Sequence, residues 1–347
     1  MAIKINWNDL QKRFVGTTEI VRVYKAGYQV RPDTVPPVFD DYLCFTSVDS
    51  SCTIRLYTEG TPNPVNLETS YDKTNRTDYT IWGYITLNQW ETIYMRNKSE
   101  TQTRFSLWDY NWYRFSISGR CAASWDLTSL LCKYGTDTLN DYDFEALFGK
   151  ITALQQRTCD LVTAPKLTAT TLGGHCYSML FAGCDLLTTA PTLPATTMAP
   201  YCYARMFSYC TGITTPPVLP ATTLANYCYS GMFSLSWLTT APTLPATTLY
   251  QWCYFDMFVR CSSLTALPSL PATTLPKVCY REMFYGCSNI KLSDTQTWEY
   301  QTPYRIPTTW TWTEWENPLV DMFYNTWGTF TWTPSINTTY YTSNTII

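Results

Sequence analysis

Residues 190–210 read APTLPATTMAPYCYARMFSYC, and the block returns without an internal gap as PPVLPATTLANYCYSGMFSLS (216–236), APTLPATTLYQWCYFDMFVRC (241–261) and LPSLPATTLPKVCYREMFYGC (267–287). A looser copy, APKLTATTLGGHCYSMLFAGC, occupies 164–184. The Cys of the Cys-Tyr pair falls at Cys176, Cys202, Cys228, Cys253 and Cys279, and the Phe after it at Phe181, Phe207, Phe233, Phe258 and Phe284. Both series step by 26, 26, 25 and 26 residues. One structural unit is therefore repeated about five times.

A period of about 20–29 residues with recurring Leu lies in the leucine-rich-repeat range. Each unit reads as a short extended piece (Leu-Thr-Thr-Ala-Pro), a Leu-Pro-Ala-Thr-Thr-Leu connector and a tight helical turn carrying Cys-Tyr-x-x-Met-Phe. In that turn Cys and Phe, and Tyr and Met, are expected to share an inward stripe. One unit cannot bury its apolar side alone, so neighbours must stack. The segment 141–165 is expected to cap the start, and the returning Asp321-Met322-Phe323 with the chain end to cap the finish.

The front half carries strand signals instead. Apolar residues alternate at Cys52, Ile54 and Leu56, at Tyr79, Ile81, Ile85 and Leu87, at Ile93 and Met95, and at Tyr113, Phe115 and Ile117. Breaks at Pro, Asn and Gly between short strands predict a β-sandwich. Ala26-Gly27 marks a hairpin turn between Glu19–Tyr24 and Tyr28–Arg31. Ahead of it, Trp7, Leu10 and Phe14 fall on one face of a short helix after an Asn6 cap. The expected fold is mainly β: an anchor segment (1–37), a β-sandwich (38–125) and a leucine-rich-repeat solenoid with caps (126–347).

The Leu-Pro-Ala-Thr-Thr-Leu and Cys-Tyr-x-x-Met-Phe-x-x-Cys blocks resemble the BspA-type leucine-rich repeats common in gut Bacteroidales and their phages. The resemblance covers roughly residues 130–347. The leading segments NWNDLQKRFVGTTEIVRVYKAG, DYLCFTSVD and YMRNKSET are similar to the front half of proteins of Bacteroides-infecting (crAss-like or related) phages. The resemblance implies a virion fibre or surface protein whose front docks on other virion proteins while the repeats face outward. It also implies a homo-oligomer, assembled in the host cytoplasm.

Composition narrows the chemistry. Charged residues make up only 15% and net charge is −3, with no basic stripe, so nucleic acid is not an expected partner. No apolar run reaches about 18 residues, so no membrane insertion is expected. The opening MAIKINWNDLQKRFVG lacks an apolar core and a small-residue cleavage site, so signal-peptide export is not expected. His175 is the sole histidine, which leaves no multi-histidine metal site, and it reads as a surface residue. No Walker loop, dinucleotide fingerprint or Gly-x-Ser-x-Gly elbow is present. Carboxylate pairs such as Asp40-Asp41 and Glu314/Glu316 fit solvated charge better than glycoside hydrolysis. No catalytic residue, metal or cofactor is therefore expected.

Cysteines recur eight apart at 176/184, 202/210, 253/261 and 279/287. Zinc would need tighter clusters. Disulfides within units would strand Cys228, whose partner position is Ser236. A ladder of buried thiols, each packed on its counterpart in the next unit, accommodates that serine. The Leu-Pro-Ala-Thr-Thr blocks resemble a sortase signal only superficially: the Gly is missing and no hydrophobic anchor follows.

Positions constant between copies are scaffold; positions that vary are free to bind. The residue before Cys-Tyr is His175, Tyr201, Tyr227, Trp252 and Val278. The residue before Met-Phe (Leu-Phe in the first copy) is Met179, Arg205, Gly231, Asp256 and Glu282. The second residue after it is Gly183, Tyr209, Leu235, Arg260 and Gly286. Stacking makes each set a row, and the expected binding residues on it are Tyr201, Tyr227, Trp252, Arg205, Asp256, Tyr209 and Arg260. Trp310, Trp312 and Trp315, in a tryptophan-rich end, form a second candidate surface. The expected function is a structural virion protein binding a host-surface glycan or protein. The rival classes are a bacterial surface adhesin, which a signal peptide would favour, and a glycan-degrading enzyme, which paired carboxylates in a cleft would favour.

Overall fold

The computed structural model describes residues 23–25, 28–30, 42–59, 65–103, 112–132, 135–150, 158–290 and 316–326. The chain divides into two compact units, Met1–Asp40 and Asp41–Ile347. The first contains an antiparallel pair, β1 (Val23–Lys25) and β2 (Tyr28–Val30), in the register Val23↔Val30 that the Ala26-Gly27 turn predicts. The helix expected at Trp7, Leu10 and Phe14 lies outside the described residues.

Among its described residues the second unit is mainly β and almost without helix, with a 3-10 turn at Leu127–Leu130. Its strands are β3 (Leu43–Ser47), β4 (Cys52–Glu59), β5 (Leu67–Ser70), β6 (Thr77–Asp78), β7 (Tyr84–Leu87), β8 (Thr92–Asn97), β9 (Trp112–Ser124) and β10 (Cys159–Thr163). They join one sheet in the order β6-β5-β8-β3-β9-β4-β7, with β10 added parallel to β9. Two facing sheets were expected; the described strands build a single one. Alternation fixes its inner face: Ile54 opposes Ile117, Leu56 opposes Phe115, and Phe45 opposes Ile93, all buried.

That inner face packs on the beginning of the repeats rather than on another sheet. The Phe115 N–H donates to Leu147 O (2.7 Å), and the Phe115 ring stacks on Phe148 at 5.3 Å. From there a column of rings runs through Phe148, Phe181, Phe207, Phe233, Phe258, Phe284 and Phe323, with neighbours 5.4–5.9 Å apart and planes within 10°. A second column runs from Phe144 through Tyr177, Tyr203, Tyr229, Tyr254 and Tyr280 at 5.7–6.1 Å. The hydroxyls of Tyr177, Tyr203 and Tyr229 are buried without a hydrogen-bond partner among the described residues, so ring packing holds this column. The division expected near residue 125 falls inside a continuous core. Asp126 ties its two parts together: its carboxylate accepts from the Thr128 N–H (3.0 Å) and from the Thr168 hydroxyl (2.8 Å).

Among the described residues seven segments form the rungs of this stack: 141–150, 174–184, 200–210, 226–236, 251–261, 277–287 and 316–326. They are not the helical turns that the spacing suggests. In rung 200–210 the N–H groups of Ala204, Met206 and Ser208 bond three residues back, to Tyr201, Tyr203 and Arg205, whereas those of Tyr203, Arg205 and Phe207 bond Cys228, Ser230 and Met232 of the next rung. Donors thus alternate between local turn and neighbour, where an α-helix would keep every one for itself. Each rung is a ribbon of overlapping turns, and its backbone is completed only by another rung. Nor does the described extended piece of a unit after β10 form a regular strand, and the connectors between these units meet only in single parallel bridges such as Thr197↔Thr223 and Thr223↔Thr248. Pro191, Pro194, Pro217 and Pro220 remove the donors that a ladder needs.

Close rung spacing makes two substitutions informative. A Cβ added at Gly173 would lie 2.3 Å from Asn140 C and 2.4 Å from Asp141 N, backbone atoms that cannot swing aside. Gly173→Ala should cost at least about 2 kcal/mol in urea melts, whereas Gly174→Ala, whose nearest contact is the Asp141 side chain at 3.3 Å, should cost much less. Phe233→Ala, in the middle of the Phe column, should lose about 3–5 kcal/mol, measured the same way; a loss under about 1 kcal/mol would remove the column from the stabilising core.

Candidate functional site

The ribbon sorts scaffold from surface by backbone conformation. One residue in four is left-handed: φ is +57° at Tyr201, +54° at Arg205 and +60° at Tyr209. The same positions are left-handed in the other rungs: His175, Met179 and Gly183; Tyr227, Gly231 and Leu235; Trp252, Asp256 and Arg260; Val278, Glu282 and Gly286. These are the three sets that vary between repeats. Most of these positions are exposed or half-buried, Gly183, Gly231 and Val278 being buried, while Cys202, Tyr203, Met206, Phe207 and Cys210 between the left-handed residues are buried. Helix-like and four-residue spacings bury nearly the same residues over ten positions, which is why the sequence resembles a helical turn.

The three sets form rows. In the first, rings stack continuously from Tyr142 through His175, Tyr201 and Tyr227 to Trp252, at 4.3–5.5 Å with planes within 15°. Tyr201, Tyr227 and Trp252 are brought together as expected, but face to face and half-buried. Their faces are occupied by one another, so solvent meets ring edges. Burial, with Tyr227 beside it, pushes the Tyr201 phenol up. His175 is not a simple surface residue: its ring is clamped between Tyr142 and Tyr201, and its Nδ1 lies 3.6 Å from the buried Glu145 carboxylate. Tyr142 was missed from sequence because Asp143 and Phe144 replace Cys-Tyr; the pair Leu147-Phe148, matching Leu180-Phe181, is the signal that places it.

The second row runs Met179, Arg205, Gly231, Asp256, Glu282 and Asp321. Arg205 is exposed and lies across the next rung's glycine, its Cγ 3.0 Å from where a Gly231 Cβ would be. Arg260 of the third row is also exposed and crosses Gly286 in the same way, at 3.1 Å. Tyr209, in that row, is 49% exposed. Arg281, which the row pattern omits, sits with its guanidinium 5.8 Å over Trp252 and its Nε 3.0 Å from Glu282 Oε1. Trp310, Trp312 and Trp315 lie outside the described residues.

Among the described residues no group of three or more His, Cys, Asp or Glu side chains is arranged to hold a metal ion. No helix among them is long and apolar enough to cross a membrane. Compared with known protein families, curated proteins and solved structures, the chain has no match.

All fourteen cysteines are buried thiols, none of them in a disulfide. In the outer thiol row Sγ donates to the carbonyl of the Phe one rung back: Cys210 to Phe181 O (3.0 Å), Cys261 to Phe233 O (3.0 Å) and Cys287 to Phe258 O (2.9 Å). Ser236 occupies the same row and lies 3.5 Å from Cys261 Sγ, so one hydroxyl substitutes for one thiol. Burial pushes Cys261 up to about 11 and Cys202 up to about 12. Thiolates are the reactive form. At about pH 8 the folded protein should therefore react with Ellman's reagent very slowly, and release close to fourteen thiols only after denaturation; rapid native reaction of several cysteines would refute the buried rows.

Proposed function

We propose that this is a non-enzymatic structural protein of a phage virion, a head or tail fibre or decoration, that binds a host-surface glycan or protein through its repeats. On this reading the stack is a leucine-rich-repeat solenoid with caps, residues 1–37 are the anchor to other virion proteins, and the protein works as a homo-oligomer. The observation that carries the reading is the division of labour in the ribbon. Three rows of residues that vary between repeats are left-handed and mostly exposed or half-buried, and the constant residues form the buried columns. A protein selected only to fold has no need of a mixed face of aromatic, basic and acidic side chains built on an invariant interior. Recognition surfaces are enriched in Tyr, Trp and Arg, and Tyr201, Tyr227, Trp252, Arg205 and Arg260 supply them here. The ring faces being occupied, the aromatic row contributes edges and polar tips, and Arg205, Tyr209, Arg260 and Asp256 supply directional contacts beside it.

The test separates binding from folding. Joint replacement Arg205→Ala, Tyr209→Ala and Arg260→Ala removes exposed side chains, so Tm should stay within about 2 °C of the parent, as expected for surface changes within ±0.5 kcal/mol each. Binding of the purified protein to host cells should fall at least about tenfold, one hot-spot loss of about 1.4 kcal/mol. Undiminished binding would move the receptor site off this face; absence of the protein from purified virions by mass spectrometry would remove the virion assignment.

A further inference from the structure

Asp256 and Glu282 hold the same left-handed position in consecutive rungs, joined by the backbone bond from Asp256 N–H to Arg281 O (3.2 Å). Two carboxylates are thereby placed side by side, where the rung before offers only Gly231 and the rung after continues the row with Asp321. Glu282 has one oxygen committed to Arg281 Nε at 3.0 Å. Asp256 Oδ1 is buried and has no hydrogen-bond partner among the described residues. A carboxylate with a buried, unpartnered oxygen and a like charge beside it is electrostatically costly. A proton between the two groups relieves both problems, because the protonated carboxyl donates to its neighbour.

We infer that Asp256 holds a proton at neutral pH, in the buried setting beside the Glu282 carboxylate, and releases it as pH rises, so that the centre of the variable face changes charge. The charged groups facing the pair are Arg205, which reaches across Gly231, and Arg281, which also covers Trp252; Asp321 follows Glu282 in the row one rung on. With Asp256 protonated, the cluster it forms with Glu282, Arg205 and Arg281 carries one more positive charge than after release of that proton. Burial, reinforced by Glu282, pushes Asp256 up to about 7, in keeping with this arrangement. Because the folded chain holds the proton more tightly than the unfolded one, stability falls as pH rises from the ordinary carboxylate range towards neutrality, and levels off above it. If the face is the receptor surface proposed above, an anionic ligand binds more tightly on the acid side of the transition and a cationic one on the alkaline side.

The titration is measured without any ligand, so it stands or fails independently of receptor binding. Carbon-13 NMR of the full chain with labelled aspartate side chains, assigned by loss of one signal in Asp256→Asn, should show Asp256 titrating near neutrality. In Glu282→Gln its midpoint should drop, yet stay above the ordinary Asp value of about 4 because burial remains. Asp256→Asn should also have a higher Tm than the parent at about pH 8 and a similar one at about pH 4, since only the parent carries the buried charge. An Asp256 midpoint near 4 in the parent, or a midpoint unmoved by Glu282→Gln, overturns the retention of a proton by Asp256 beside Glu282.

Discussion

Everything in the repeats depends on backbone donors that point along the stack. In the rungs up to 277–287 alternate N–H groups close local turns and the others reach the next rung, as Tyr203, Arg205 and Phe207 do to Cys228, Ser230 and Met232. A lone rung would therefore leave several amides without partners, and unmet amides in an apolar setting cost about 1–3 kcal/mol each. The side chains obey the same logic, since the Phe and Tyr columns have ring faces that only neighbouring rungs can cover. Backbone and side chains thus fail or succeed together, which makes the stack cooperative along its length. They also explain why the sheet is not a separate body: β9 supplies both the amide of Phe115 and its ring, so the first rung finds on the sheet what every later rung finds on its predecessor.

The conflict between sterics and bonding is resolved at the surface. Left-handed backbone costs an ordinary L-residue about 1–2 kcal/mol, and the ribbon imposes it on a non-glycine residue up to three times per rung. What it gains is the rotation that sends alternate carbonyls towards the neighbour. Gly231 and Gly286 meet the requirement without strain, and the space they leave is taken by Arg205 and Arg260 from the preceding rung. The face that varies is also the face that carries this conformational load, and the buried columns are free of it.

Much of this was legible in the sequence. The period, the constant columns and the variable rows follow from aligning the repeats with each other, and the alternating residues Cys52, Ile54, Leu56, Phe115 and Ile117 are buried as their pattern requires. The ribbon was not legible. Paired buried residues four apart imitate the 3.6-residue helical period over so short a stretch, and nothing in side-chain pattern reveals which neighbour a backbone amide will choose. The sandwich failed for a related reason: alternation shows that a strand has a buried face but not what buries it, and here the cover is Phe148 and its rung. Rows gathered Tyr201, Tyr227 and Trp252 as the alignment requires, yet their face-to-face contact and the inclusion of Tyr142 and His175 depend on ring orientations set by the left-handed backbone.

That backbone also restricts the vocabulary of the outer face. A left-handed residue tolerates Gly, Asn and Asp well and straight or γ-branched side chains at moderate cost, but a β-branched one is a severe outlier. Of the left-handed positions in the described rungs, Val278 alone is β-branched, although the chain is rich in Thr. Diversification of this surface, by natural drift or in a designed library, thus draws on a reduced alphabet: Tyr, Trp, His, Arg, Asp, Glu, Asn, Met, Leu and Gly are admissible letters, and Thr, Val and Ile are spent elsewhere, in the connectors and strands. The grammar of what this protein can be evolved to touch is written in its φ angles.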